Sequence, residues 1–180
     1  IRLFEVMEEK LGEQNIIAED LGFLTDSVRK LLKDTGYPGM KVLQFAFDSR
    51  EESDYMPHNY TSNCVVYTGT HDNQTTLGWW DEMAKEDKDV ALRYMALPCR
   101  WIGARKLTWQ LIVMAQRSVA DLCIIPAQDY LCLPKTARIN TPSTLGYNWQ
   151  WRMEKGAFSD KLCDKIAKMT KLYGRGRQVH

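Results

Sequence analysis

The sequence predicts an α/β protein whose strands form a parallel sheet. Short runs of β-forming residues alternate along the chain with helical patterns or long loops, which is the order typical of parallel sheets. Acidic or amide side chains follow three of these runs within a few residues, at the strand ends where α/β proteins bind ligands. The chain has 180 residues, 44% of them hydrophobic, which is enough for the core of about one domain.

Four runs rich in β-forming residues predict strands, at residues 15–18, 41–47, 65–67 and 120–125. Apolar residues at helical spacing predict helices at residues 2–11, from 25 or 26 to 33, at 90–97, 104–118 and 160–172, with a further helical region opening at Trp79 and Trp80. Gly12 is predicted to end the first helix, Pro98 the helix at residues 90–97, and Pro126 the strand at residues 120–125. Glycine and proline are poorly accommodated inside these elements.

Four strand–helix units fit either a small open sheet or one half of an eight-stranded barrel, which typically needs about 250 residues. The chain opens at Ile1 directly in an amphipathic helix, with no capping residue before it. A natural domain rarely begins in this way, so we expect a cut through a longer protein. That expectation favours the half-barrel.

The segment at residues 65–76, VVYTGTHDNQTT, is the strongest candidate for a site. Val65, Val66 and Tyr67 form a run expected of a parallel strand covered on both faces. Thr68, Gly69 and Thr70 break the run, and His71, Asp72 and Asn73 follow them. The alternative is a polar turn that only satisfies its own backbone.

Two other strand ends carry similar groups, namely Glu19-Asp20 and Gln128-Asp129. If the strands are parallel, these groups meet on one rim together with the His-Asp-Asn triplet. Converging carboxylates suit sugar chemistry, because a retaining glycosidase uses two of them about 5–5.5 Å apart. Aromatic residues in adjoining loops are candidate faces for sugar rings: Tyr37, Tyr55, Tyr60, Trp79 and Trp80. For Trp79 and Trp80 we expect at least one to pack in the core instead.

Composition excludes several other classes of protein. The formal net charge is +1, so nothing indicates binding to nucleic acid or to an anionic membrane, and no run of 18 apolar residues predicts a membrane span. Five cysteines without a CxxC pattern fit reduced thiols and a cytoplasmic location. His58, His71 and His180 show no metal-binding spacing, so no metal or other cofactor is expected. A metal phosphohydrolase is the weaker alternative, since such sites usually need more histidines.

Six blocks of the sequence resemble the carboxyl-terminal part of the amylomaltase family, also called 4-α-glucanotransferase or disproportionating enzyme. They occur in the family's order and span nearly the whole chain: IIAEDLG (16–22), PGMKVLQFAF (38–47), PHNY (57–60), YTGTHDNQTT (67–76), IIPAQD (124–129) and NTPSTLGYNWQWR (140–152). The resemblance implies the carboxyl-terminal half, strands five to eight, of a (β/α)8 TIM barrel. Residues 1–180 would then be one partial glycoside hydrolase-type catalytic barrel, truncated at its N-terminus.

The resemblance also implies roles for individual residues. Glu19 matches the general acid/base at the end of the fifth strand, and Asp72 matches the carboxylate that stabilises the distorted sugar and its transition state. His71 matches a histidine that binds sugar hydroxyls, and Asp20 is expected to be structural. The predicted substrate-binding set is His58, His71, Asn73, Gln128 and Asp129.

Two departures and one absence accompany the resemblance. Gln74 stands where the family often has Asp, and Tyr147 where it often has Gly. The family's nucleophile is an aspartate at the end of the fourth strand, which would lie before Ile1. This chain alone is therefore expected to be inactive.

The implied activity is transfer of α-1,4-glucan segments between maltooligosaccharides by a retaining double displacement. The expected ligands are α-1,4-glucans and maltooligosaccharides. The alternative is a non-catalytic half-barrel that binds glucan or a protein partner. An isolated half-barrel would expose two unpaired strand edges, so the expected partner is the missing N-terminal half of the barrel or a second copy of the fragment.

Overall fold

The computed structural model describes residues 1–22, 24–97 and 103–176. The helices in chain order are α1 (Arg2–Leu11), α2 (Asp26–Thr35), α3 (Thr76–Glu82), α4 (Lys85–Tyr94), α5 (Ala104–Arg117), α6 (Ala127–Tyr130) and α7 (Asp160–Leu172). The strands are β1 (Gly39–Val42), β2 (Cys64–Tyr67) and β3 (Leu122–Ile124). The predicted stop at Pro98 lies outside the described residues. No helix in the described ranges is long and apolar enough to cross a membrane.

The three strands form one parallel sheet in the order β1-β2-β3. In the register, Gly39 lies opposite Cys64 on one side of β2, and Tyr67 lies opposite Ile124 on the other. The side chain of Val66 is fully buried, as expected of a central parallel strand covered on both faces. The sequence prediction of an α/β protein with a parallel sheet is therefore confirmed.

The core lies between the sheet and α5. Leu107, Leu111 and Ala115 of α5 recur at the helical spacing that places them on one face, and all three are completely buried. Trp79 and Trp80 both pack against this core cluster from α3. We expected at least one of the two tryptophans to pack in the core, and both do.

The prediction of a strand at residues 15–18 is wrong. This segment has no regular secondary structure and makes one backbone hydrogen bond to the residue before β1, from the Ala18 N–H to the Pro38 carbonyl at 2.9 Å. The next amide of β1, that of Met40, donates instead to the Asp20 carboxylate at 2.6 Å. A side chain therefore takes the place of the backbone ladder, which leaves Asp20 in the structural role that was expected of it.

The predicted strand at residues 41–47 is shorter than its apolar run. The chain is paired only to Val42 and then turns into a short 3-10 helix, Leu43–Phe45. Gln44 of this turn is buried and donates its side-chain amide to the Gln74 carbonyl at 2.8 Å. An apolar run alone does not distinguish a buried strand from a buried turn, so the pattern overestimated the length of the strand.

Replacing Gly39 by Ala should detach the segment that carries Glu19 from the sheet. An added Cβ at Gly39 would lie 2.5 Å from Asp20 Oδ2 and 2.8 Å from its Cγ, so the Asp20 carboxylate must move. We expect the midpoint of urea unfolding to fall, with a loss of about 1–3 kcal/mol as in overpacked cores.

Gly176→Ala is the matched control, because an added Cβ there meets nothing within 4 Å and the backbone is not in the left-handed region. Equal unfolding midpoints for the two variants would contradict the predicted clash.

Candidate active site

A pocket of about 680 Å³ lies beyond the carboxyl ends of β2 and β3. The structure brings five of the seven predicted site residues to its wall: Glu19, His71, Asp72, Asn73 and Gln128. The rest of the wall is largely apolar and includes Leu21, Met40, Phe45, Ile124, Ile139, Pro142 and Trp151. A few polar groups converging on an apolar concave surface are typical of a small-molecule site.

The turn at residues 69–75, which follows β2 and Thr68, carries the central polar group. Its fold is held by Asn73, whose side-chain oxygen accepts hydrogen bonds from the amide and the hydroxyl of Thr70 at 2.9 and 2.8 Å. Thr75 caps α3 by accepting from the Gly78 N–H at 3.1 Å. Part of this sequence therefore satisfies its own backbone, as the alternative interpretation proposed, while His71 and Asp72 stay exposed at the pocket.

Asp72 is held by two side chains that were not among the predicted site residues, one at its carboxylate and one at its backbone carbonyl. Asn140 Nδ2 donates to Asp72 Oδ1 at 2.6 Å, and Arg138 donates to the Asp72 carbonyl at 2.6 Å. His71 Nε2 lies 3.3 Å from the same carboxylate oxygen, and the Asp72 side chain is 47% exposed. Asp72 is thus fixed in orientation and still open to a ligand.

An aromatic ring packs against His71. The rings of His71 and Trp149 lie 5.0 Å apart between centroids, with an angle of 38° between their planes. Trp149 has a φ of 65°, a left-handed conformation that is uncommon and costly for a bulky residue. The Trp149 N–H donates to the Ile139 carbonyl at 2.8 Å, which contributes to holding this conformation beside the pocket.

Gln128 and Asp129 occupy different environments although they are adjacent in sequence. Gln128 lines the pocket and donates its side-chain amide to the Ala137 carbonyl at 3.3 Å. Asp129 is only 3% exposed, and its oxygens accept hydrogen bonds from the Thr68 hydroxyl and, at 2.8 Å, from the Thr76 N–H. Burial raises the pKa of Asp129 above its usual range, although these hydrogen bonds act in the opposite direction.

His58 does not reach the pocket. Its ring packs against Tyr94 of α4, and its Nδ1 lies 3.1 Å from the Tyr94 hydroxyl. The aromatic residues predicted as sugar faces also lie elsewhere, because none of them lines the pocket: Tyr37, Tyr55, Tyr60, Trp79 and Trp80. Phe45 and Trp151 line it instead. Their distance along the sequence from the polar strand ends explains why adjacency in sequence missed them.

Metal ligands are not clustered in the part of the chain that the structure describes. Within residues 1–22, 24–97 and 103–176, no group of three or more His, Cys, Asp or Glu side chains is arranged to hold a metal ion. His180, the last of the three histidines, lies outside these ranges. The described chemistry of the pocket is that of carboxylates, an imidazole and amides.

Comparison with known proteins gives matches over nearly the whole chain. The 4-alpha-glucanotransferase family profile matches residues 1–158. A 4-alpha-glucanotransferase of Clostridium butyricum is 46% identical over 97% of this chain and 35% of its own length. The chloroplastic/amyloplastic 4-alpha-glucanotransferase DPE1 of Arabidopsis thaliana is 43% identical over 96% of this chain and 30% of its own length.

A solved structure is similar in three dimensions as well. The amylomaltase from Streptococcus agalactiae in complex with acarbose superposes with a TM-score of 0.89 and 38% sequence identity, over 97% of this chain and 35% of that chain. This chain therefore spans about a third of the length of the relatives that it matches.

Asp129→Asn should make the protein more thermostable at pH 7. The folded-state pKa of Asp129 is raised, so its stabilising contribution is full below the unfolded-chain value of about 3.9 and is lost as the pH rises through the raised pKa. An asparagine oxygen can accept from the Thr76 N–H and its amide can donate to the Thr68 hydroxyl, so both bonds remain while the charge is removed.

Thermal midpoints should be measured for wild type and Asp129→Asn between pH 4 and pH 8, with exposed Asp81→Asn as the control. We expect a gain of a few degrees at pH 7 that shrinks as the pH falls. A gain that grows towards low pH would show that the sign of the pKa shift is wrong.

Proposed function

The chain belongs to the 4-alpha-glucanotransferase family, and from this membership we propose that the protein transfers α-1,4-glucan segments between maltooligosaccharides by a retaining double displacement. One observation carries the proposal: Glu19 and Asp72 open on the same pocket, together with His71. A retaining glycosidase uses one carboxylate as acid/base and another as nucleophile. Glu19 would supply the acid/base, and Asp72 and His71 would contact the sugar on the same concave surface.

Glu19 is proposed as the general acid/base. Its side chain is exposed at the pocket wall, on a segment anchored to β1 through Asp20 and Ala18. In the first step the protonated carboxyl donates its proton to the glycosidic oxygen as the bond to the leaving glucan breaks and the aspartate nucleophile bonds to the sugar carbon. In the second step the carboxylate takes the proton from the 4-hydroxyl of the acceptor, whose oxygen bonds to the same carbon as the bond to the aspartate breaks.

Asp72 is proposed to stabilise the positive charge that develops on the sugar ring, and His71 to bind a sugar hydroxyl. The contact from Asn140 supports this role, because it fixes one carboxylate oxygen while nearly half of the side chain stays accessible. Preorganised charge of this kind acts without reorganisation during the reaction. The attacking aspartate is proposed to come from a part of the protein outside this chain.

We also propose that the three described strands belong to a (β/α)8 barrel, as its fifth-to-eighth-strand half together with the segment at residues 15–18. The parallel order, and the fact that β1 and β3 each pair on one side only within the described sheet, support this. The remaining strands of the barrel, or a second copy of this chain, would cover the outer edge of β3, where Leu122 and Ile124 are 46% and 38% exposed.

A cytoplasmic location stays a prediction. Among the described cysteines, Cys64, Cys123, Cys132 and Cys163 are free thiols, which is the state that reducing compartments maintain. Burial raises the pKa of the Cys123 thiol to about 11 and that of Cys64 above its usual range, so these two act as small apolar residues and not as nucleophiles.

Glu19→Gln in the complete protein that carries this chain should remove most glucan transfer and leave glucan binding. The amide keeps the shape of the side chain but cannot donate or accept the transferred proton, and acid/base groups contribute about 10²–10⁴-fold. Disproportionation of maltotriose followed by chromatography gives kcat, and calorimetric titration with a maltooligosaccharide gives binding.

Glu13→Gln is the control, since Glu13 is an exposed carboxylate that does not line the pocket. A Glu19→Gln protein that turns over at the wild-type rate would refute the assignment, and so would equal losses in both variants.

Asn140→Ala should lower kcat by about tenfold, because the Asp72 carboxylate loses the donor that orients it; tenfold corresponds to about 1.4 kcal/mol. The substrate KM should change less than kcat, since the orientation of Asp72 matters most in the transition state. Asn59→Ala serves as the comparison, because Asn59 donates to the Ser53 carbonyl in a loop that does not line the pocket. An unchanged kcat in Asn140→Ala would mean that this contact does not serve the reaction.

A further inference from the structure

We propose that Asp129 is a positioning residue for the proposed glucan transfer: by bonding both ends of the turn at residues 69–75, it holds Asp72 and His71 at the pocket. This inference rests on the proposed function and deepens it. It also replaces the predicted contact of Asp129 with sugar, because Asp129 is buried and does not line the pocket.

The geometry of the contact is that of a bridge. Thr68 is the residue directly before the turn, and Thr76 is the first residue of α3 directly after it. One Asp129 oxygen accepts from the Thr68 hydroxyl, and the other accepts from the Thr76 N–H at 2.8 Å. A single carboxylate thus joins the two points where the turn leaves the sheet and enters the helix.

The bridge also links neighbouring units of the fold. Asp129 lies in α6, which follows β3, while both threonines belong to the unit of β2 and α3. The contacts at the tip of the turn are different: Arg138 and Asn140, from another segment, hold Asp72, while Asn73 holds Thr70 within the turn itself. Those contacts orient the tip, whereas Asp129 alone among the contacts described here spans both of its ends.

Packing alone does not explain why a carboxylate is buried at position 129. A carboxylate that is 3% exposed and has no cationic partner among its described contacts loses its hydration for two hydrogen bonds. Desolvation raises its pKa, which means that the charged form costs stability in the folded protein. Apolar groups at such sites are often at least as stabilising, so the two hydrogen bonds at position 129 are better explained by the geometry that they impose on the turn.

Three variants separate the possible roles of Asp129. Asp129→Ala removes both bonds, and Thr68→Val removes one while keeping the shape of the threonine. Asp129→Asn keeps both, because its oxygen accepts from the Thr76 N–H and its amide donates to the Thr68 hydroxyl. If the bonds position the turn, Asp129→Ala should lose the most transfer activity and Thr68→Val an intermediate amount. Asp129→Asn should recover most of the activity that Asp129→Ala loses.

The readouts are kcat and KM for maltotriose disproportionation by the complete protein, and hydrogen exchange of the turn amides measured by mass spectrometry. For Asp129→Ala we expect kcat to fall by about 10²-fold, the size that a displacement near 1 Å can cause, with little change in KM. Exchange of the amides at residues 69–75 should become faster. Met169→Ala in α7 is the control for lost stability, since it truncates a buried side chain outside the turn and the pocket.

Each result bears on the inference. A fall in kcat with faster exchange in Asp129→Ala but not in Met169→Ala, and recovery in Asp129→Asn, would support it. Unchanged exchange in the turn, or wild-type kcat in Asp129→Ala, would overturn it. If Asp129→Ala does not fold, Thr68→Val decides by the same two readouts. A wild-type protein without transfer activity would refute the proposed function, while the exchange data would still test the bridge.

Discussion

The ladders that β2 makes with β1 on one side and β3 on the other are the constraint on which the candidate site depends. They run from the Gly39–Cys64 pair to the Tyr67–Ile124 pair, and all three strands point the same way. Residues that follow the strands therefore leave the sheet at one end. A slip of β2 by one residue would move the turn after it by about 3.3 Å, which is more than a hydrogen bond tolerates.

In each polar segment at the pocket, one residue lines the pocket and its neighbour holds the local backbone. Glu19 lines the pocket while Asp20 binds the amide of Met40. Gln128 likewise lines the pocket while Asp129 binds the amide of Thr76. One residue of each pair lines the pocket. The other accepts a hydrogen bond from a backbone N–H of a neighbouring element, β1 for Asp20 and α3 for Asp129. A side chain that lines the pocket is thus attached to a backbone that its own neighbour has fixed.

The third polar segment is the turn at residues 69–75, and it is arranged in the same way. Asn73 holds the turn, while His71 and Asp72 are exposed to the pocket. Here the neighbours are assisted from a distant part of the chain, by Asn140 on the carboxylate and by Trp149 on the imidazole. The left-handed backbone at Trp149 is a local cost of this arrangement. Such strain persists only where surrounding contacts determine it, and it lies directly beside the proposed chemistry.

The sequence by itself determined the α/β class and located three of the four predicted strands: those predicted at residues 41–47, 65–67 and 120–125 are observed at 39–42, 64–67 and 122–124. It also led us to expect Glu19, His71 and Asp72 on one rim, and all three line the pocket although the strand expected before Glu19 is absent. These follow from local patterns, because apolar runs, turn residues and strand direction are encoded within a few positions of one another. Tertiary structure decided the rest. It gave the amide of Met40 to the Asp20 side chain instead of a fourth strand, buried Asp129, and brought Asn140 to Asp72. These contacts join residues 20 to 68 positions apart, and such pairing depends on how the elements pack, which no local pattern specifies.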